Sequence, residues 1–245
     1  MIDLLRPLTR LAVAAIVGVA ALSHAQTAPL NDTGQTSCYN TIDVAVACDA
    51  ATAGNTGTRP HQDGRYGRDA AAAAGALSKV GGGAAGFDFS CVLWNGTVIN
   101  GPNCQVGLVA NTSGAPSATP TTDWACTKDN VTNLIWSLQI QGPTDWNTAT
   151  GATYANAGHN SVARCGFPNG WRVPTRRELL GIVHFGGSYP AIDGAYFPQT
   201  GVNLFWTANG SLNGRFAWFV GFDYRASDFD DRSSTMSVRL VRSGL

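Results

Sequence analysis

Between positions 223 and 232 the chain places Asp223, Arg225, Asp228, Asp230, Asp231 and Arg232, with Arg215 in the segment just before them. It is the densest charged stretch of the sequence, and two chemistries suit it. Guanidinium groups bind sulfate and carboxylate through paired hydrogen bonds, so Arg215, Arg225 and Arg232, with Asp223, form a candidate site for an acidic glycan. Three aspartates within four residues also offer hard oxygen ligands, which makes Asp228, Asp230 and Asp231 an alternative Ca2+ site, although without the spacing and closing Glu of an EF-hand. The bland alternative is a solvated loop whose opposite charges pair, each pair worth little. Trp206, beside a predicted loop, is the candidate among four tryptophans for a surface that stacks a sugar ring, with core packing as its alternative; Trp136, Trp171 and Trp218 are expected in the core. Arg172, Arg176 and Arg177 cluster at a predicted helix start. There an anion site and an internal salt bridge both remain open, with Arg172 expected to pair inside the domain.

Catalytic chemistry finds little support. There is no G-x-S-x-G, and His159 and His184 lie in different segments. No catalytic residue and no cofactor are expected, with Ca2+ as the one alternative. Six cysteines, Cys38, Cys48, Cys91, Cys104, Cys126 and Cys165, allow fifteen connectivities. Spacing favours the local pairs Cys38–Cys48 and Cys91–Cys104, the second bracketing the turn signals Asn95-Gly96 and Asn100-Gly101. Cys126–Cys165 is what remains. A zinc site lacks CxxC spacing and suitably placed histidines.

These residues must be positioned by a chain of 245 residues with unusual charge usage. Lysine and arginine number 16, of which 14 are Arg; acidic residues also number 16, of which 15 are Asp and only Glu178 is Glu. Long helices are rich in Lys and Glu, whereas Asp favours turns and caps, so the composition predicts mostly strand and loop. The zero net charge excludes a nucleic-acid partner captured by bulk positive charge. Its distribution is uneven: residues 124–245 hold 10 basic and 8 acidic groups, whereas residues 26–123 hold 4 and 7.

Residues 1–25 read as a secretory signal: Arg6 and Arg10, the apolar run Leu11 to Leu22, then Ser23-His24-Ala25 with small residues at the cleavage positions. The cysteine count suits the oxidising compartment this implies, so the protein is expected to be secreted, periplasmic or on the cell surface. No transmembrane segment is expected after cleavage.

The expected organisation is a loop-rich N-terminal region over 26–110, a linker over 111–122 (NTSGAPSATPTT) and a C-terminal domain over 123–245. The Ala run 69–76 is expected to form two helical turns ended by Gly81-Gly82-Gly83. Residues 87–93 and 134–136 read as strands, and 146–157 as a weak helix diluted by Gly151. After Pro174, Thr175 and Glu178 stand at capping-box spacing, with Leu179, Leu180, Ile182 and Val183 as the apolar stripe. Glu178 thus has a structural role. Residues 204–207, 216–222 and 237–241 read as strands, with Val238 and Leu240 on one face and Arg239 and Val241 on the other; 208–215 and 224–235 are expected loops.

A set of motifs in order carries a family resemblance. They are Asp129-Asn130-Val131-Thr132 with Leu134-Ile135-Trp136, Gly170-Trp171-Arg172-Val173-Pro174-Thr175-Arg176-Arg177-Glu178-Leu179-Leu180, Pro190-Ala191-Ile192-Asp193 with Tyr196-Phe197-Pro198, Phe205-Trp206-Thr207, Ala217-Trp218-Phe219-Val220-Gly221-Phe222, and Val238-Arg239-Leu240-Val241-Arg242. Together they resemble the C-terminal domain of the collagen-like adhesin Lcl, over about Trp124 to Arg242. The resemblance implies a C-type-lectin-like α+β fold with two helices and twisted antiparallel sheets. It also implies a surface module binding sulfated or acidic polysaccharide. The collagen-like Gly-X-Y stalk and the calcium-binding tripeptides of true C-type lectins are absent from the sequence. Two alternatives stand beside the adhesin-like reading. One is a structural component of a cell-surface assembly, with a homo-oligomer open. The other is an enzyme on a fold like that of the formylglycine-generating enzymes.

Overall fold

The computed structural model describes residues 31–40, 45–46, 48, 62–187 and 189–244; the expected signal segment lies outside them. The class is α+β, dominated by sheet. Strands β1 (Cys38–Tyr39) and β2 (Ala45–Val46) form a small antiparallel pair. All the other strands belong to one nine-stranded sheet: β3 (Phe89–Leu93), β4 (Val98–Ile99), β5 (Val109–Ala110), β6 (Asp123–Asp129), β7 (Leu134–Thr144), β8 (Leu204–Gly210), β9 (Phe216–Gly221), β10 (Ala226–Asp231) and β11 (Met236–Ser243). The order is β10-β9-β8-β11-β7-β6-β3-β4, with β5 alongside the start of β6. Pairing is antiparallel except for β5 with β6 and β11 with β8.

This topology corrects the expected domain boundary. Residues 111–122 do not separate two units, because β3 and β5 upstream pair with β6 downstream. The loop is also tied down locally, with Asp123 accepting from Ser117 and Thr119 at 2.6 Å each. A polar composition described the segment's exposure and not its independence.

Where the residue pattern places three helices and the resemblance implies two, four short ones appear among the described residues: α1 (Gly67–Ala73), α2 (Trp146–Thr150), α3 (Tyr154–Gly158) and α4 (Arg176–Leu180). Gly151 splits the weak helical stretch into α2 and α3, as its low helix propensity allows. The capping box forms at α4: Thr175 Oγ1 accepts from the Glu178 N–H, and Glu178 Oε2 accepts from the Thr175 N–H at 2.7 Å. The helix nevertheless stops at Leu180, and Ile182 and Val183 enter the core from the turns that follow. Helix α1 ends at Ala73, with Gly75 at φ 68° just beyond it, and not at the triple glycine as expected; those glycines serve a close backbone approach instead. The Gly82 and Phe89 backbones exchange two hydrogen bonds, and a Cβ on Gly81 would come within 1.9 Å of the Phe89 carbonyl oxygen.

Both faces of the sheet are covered along β3, most of β6 and the first half of β7, and consecutive residues there are buried. One apolar cluster gathers Phe89, Trp136, Leu138, Leu179, Phe197 and Phe205; the other gathers Val92, Trp171, Trp206, Ala217, Val238 and Leu240. Alternation along β11 divides Val238 and Leu240 from Val241, as the period of two requires. Arg239 lies on the Val241 side and is wholly buried. Its Nη1 donates to the Ser137 carbonyl at 2.6 Å and its Nη2 to Thr200 Oγ1 at 2.8 Å, with the Phe197 ring 5.4 Å away. Burial without a carboxylate partner pulls its pKa down to about 9.

Three disulfides brace the fold: Cys38–Cys48, Cys91–Cys104 and Cys126–Cys165. The last ties the middle of β6 to the 3-10 turn Arg164–Gly166, across 39 residues of chain. Such bonds suit an oxidising compartment. Among the described residues no helix is long and apolar enough to cross a membrane.

Candidate functional site

The charged stretch from Asp223 to Arg232 is not a loop. Residues 226–231 form β10, an edge strand paired with β9 in the register Asp231–Phe216, Phe229–Trp218 and Ser227–Val220. Asp has low strand propensity, but an edge strand exposes one backbone row to water and tolerates charge, which also discourages unwanted pairing.

The hairpin separates the expected ligand-binding residues. Arg215 and Arg232 flank one end of it. Asp223 and Arg225 occupy the turn at the other, five residue steps away, or roughly 17 Å at the rise of a strand. Arg215 pairs with Asp231, Nε to Oδ2 at 2.9 Å. Arg232 stacks 4.3 Å from the Trp146 ring centre. Arg225 sits at φ 54° and donates to the Gly187 carbonyl, and Asp223 accepts from the Tyr224 N–H. The five do not form one site. The alternative Ca2+ triad fails as well, since Asp228 and Asp230 project from one face of β10 and Asp231 from the other.

Trp206 is corrected for a different reason. It is 0% exposed, and its Nε1 donates to the Thr144 carbonyl at 2.9 Å, so no sugar ring can reach it. Trp136 and Trp171 are buried as expected. Trp218, expected in the core, is the one of the four that is only half-buried, on the same face of β9 and β10 as Phe216, Phe229 and Asp231. Phe229 packs edge-on against Trp218 at 5.5 Å between ring centres and lies 5.5 Å from Phe216.

Two arginines border this aromatic row. The Arg215 guanidinium lies 5.2 Å from the Phe216 ring centre. Arg176, at the start of α4, lies 3.8 Å from the centre of Trp218 and is held from two further directions. Its backbone N–H donates to Asn209 Oδ1 at 2.7 Å, and its Nε donates to Ser227 Oγ at 2.8 Å. Neither of its Nη groups has a protein partner among the described residues, so both are available to an anion. Neighbouring Arg172 is already spent on Glu178, through two bonds of 2.8 and 2.6 Å, which is the internal pairing expected of it. Phe229 remains 49% exposed, and it supplies the free ring face that Arg176 denies on Trp218.

Behind Arg176 opens a cavity of about 570 Å3, lined among others by Asp32, Thr33, Arg176, Arg177, Leu180 and Phe185. Its wall is made partly by residues 31–33. Asn31 fixes that segment by donating to Asp129 Oδ2 at 2.7 Å, and the Thr33 carbonyl accepts from the Phe185 N–H at 2.8 Å. The sequence carried a signal for Arg176, in the Arg cluster before the helix. For Phe216 and Phe229 it carried only alternation with charged neighbours, which the loop assignment of 224–235 concealed.

The architecture is a disulfide-braced α+β domain presenting an aromatic row edged by arginine on the hairpin at one edge of its sheet. Residues 125–242 match the family model of the Lcl C-terminal domain. No curated protein matches the chain.

Proposed function

We propose that the protein is an exported, surface-associated binding module that recognises an acidic polysaccharide through the face formed by Arg176, Trp218, Phe229, Phe216 and Arg215. The observation that carries this reading is the placement of Arg176, clamped on Trp218 with neither Nη group partnered among the described residues, beside the exposed Phe229 ring. A sugar ring stacks on Phe229 while a sulfate or carboxylate substituent meets the guanidinium. Pre-ordering of that guanidinium lowers the entropy lost on binding. The match to the Lcl C-terminal family, an adhesin-like domain, supports the reading, as does the basic excess of residues 124–245. A C-type-lectin-like arrangement is the fold we assign to this family domain.

Heparin affinity chromatography, with and without Ca2+, and a glycan array test the proposal. Retention of the protein beyond that of a variant with Arg176 and Arg215 both changed to Ala is the expected result. Equal elution of the two would overturn it.

A structural role in a surface assembly is the second reading. It is favoured by the outer edge of β10, which no further strand among the described residues pairs with, and where Phe229 and the nearby Tyr224 are exposed. Self-association detected by light scattering and abolished by Phe229→Asp, without heparin retention, is the result that would favour it. An enzyme on a formylglycine-generating-enzyme-like fold is the least supported, since that chemistry needs a reactive thiol and all six cysteines are in disulfides.

A further inference from the structure

We propose that Asp32, Asp63 and Asp69 bind a divalent cation, Ca2+ by the chemistry of the donors, and that this ion fastens the segment before β1 onto α1. The proposal does not rest on the glycan reading. Each of the three carboxylates offers an oxygen, and these oxygens all lie within 4.8 Å of one another. Two ligands of a single Ca2+ stand at most about twice the 2.3–2.6 Å bond length apart, so the group fits around one ion.

Burial distinguishes this cluster from an exposed acidic patch. Asp69 is 0% exposed and Asp32 is 8% exposed. Among the described residues the ion pairs are Arg68–Asp88, Arg172–Glu178 and Arg215–Asp231, so none of the three carboxylates has a cationic partner. A buried charge without a counter-charge is strongly disfavoured.

The orphaned atom points the same way. Asp32 Oδ1 accepts from the Thr33 N–H at 2.9 Å, but its Oδ2 is buried with no hydrogen-bond partner. That oxygen is aimed into the cluster. It lies where a Cβ on residue 86 would come within 2.0 Å of it, and Gly86 is the residue whose N–H donates to Asp69 Oδ1 at 2.7 Å. Only glycine leaves room for the Asp32 carboxylate there. Thr33 Oγ1 adds a fourth oxygen, in contact with Asp63 and with Asp69 Oδ2. An all-oxygen set with no His or Cys selects a hard cation. Because Asp32 and Thr33 also wall the cavity behind Arg176, the ion would hold that wall in place.

Calorimetric titration of the EDTA-treated protein with CaCl2, with melting temperature followed in parallel, tests this. The expected result is one Ca2+ per chain, with Kd between about 10⁻⁵ and 10⁻³ M, as for sensor sites and extracellular modules, and a melting temperature that rises with Ca2+. Asp69→Asn removes both responses. Asp63→Asn, at the half-exposed ligand, weakens binding at least tenfold and guards against a misfolded Asp69 variant. Absence of heat and of any shift in melting up to about 10 mM CaCl2, ten times the weakest extracellular range, would overturn the proposal and leave shared protons as the means of neutralising the cluster. Undiminished binding by both variants would place the ion elsewhere and overturn it equally.

Discussion

The guanidinium of Arg176 lies 3.8 Å from the centre of the Trp218 ring, so the first residue of helix α4 is locked onto the middle of strand β9. The contact joins elements 42 positions apart and turns an otherwise flexible cation into a fixed one. It also separates two tryptophans of the same family motifs into different roles.

Those roles predict opposite phenotypes. Trp218→Ala keeps the fold but frees Arg176, and heparin elution moves to lower salt, as it does for Arg176→Ala. Trp206→Ala opens a cavity in a fully buried site and costs about 3–5 kcal/mol of stability. Urea unfolding and salt-gradient elution, run on the same three variants, check both statements. A Trp218→Ala protein that elutes with the parent would remove the aromatic row from the binding face.

Acid stability should carry the signature of His159. The ring is wholly buried, 2.7 Å from Ser137 Oγ and edge-on to Trp171. Burial, with the Arg164 charge nearby, pushes its pKa down to about 3 from the usual 6.5. The unfolded chain therefore takes up a proton that the folded one refuses. The stabilisation is complete above about pH 6.5 and is lost as pH falls toward 3, at up to roughly 1.4 kcal/mol per pH unit. Asp129 works in the opposite sense. Its pKa is raised to about 6 by burial, so its contribution is lost as pH rises from about 4 to 6. Comparison of His159→Gln with the parent isolates the histidine: the variant's stability falls less steeply between pH 6 and 4. Identical slopes would show that His159 does not titrate as its burial requires.

The Cys126–Cys165 bond should be worth more than Cys38–Cys48. It closes a loop of 39 residues against 10, and it anchors the middle of the nine-stranded sheet. On chain entropy alone the two are worth about 4 and about 3 kcal/mol. The double change Cys126→Ser with Cys165→Ser should lower unfolding stability by the larger amount, measured by urea denaturation under oxidising conditions. A loss no greater than that of the Cys38/Cys48 pair would mean that the reduced chain keeps β6 in place unaided.

Much of this was decided locally and was readable as such. A capping box needs only Thr175 and Glu178 at their spacing, because the hydrogen bonds that define it close within one turn. Gly151 breaks a weak helix wherever it occurs. Strand alternation in β11 predicts which side chains share a face before any partner strand is known. The motifs within residues 125–242 carry the family resemblance because six local patterns recur in order, and the family model matches the same span.

The remainder depended on what lies across the sheet. Asp228, Phe229, Asp230 and Asp231 read as a loop by propensity and become a strand because β9 offers an unpaired edge. That single pairing split the charged residues between two ends of a hairpin, broke the aspartate triad and brought Phe229 onto Trp218. Burial of Arg239 among Phe197 and Phe205, and the meeting of Asp32 with Asp63 and Asp69, join residues more than 30 positions apart. From sequence alone came composition, caps, cysteine pairs and family. Which tryptophan faces water and which carboxylates converge came from tertiary structure alone, because exposure and convergence are set by neighbours that no local spacing encodes.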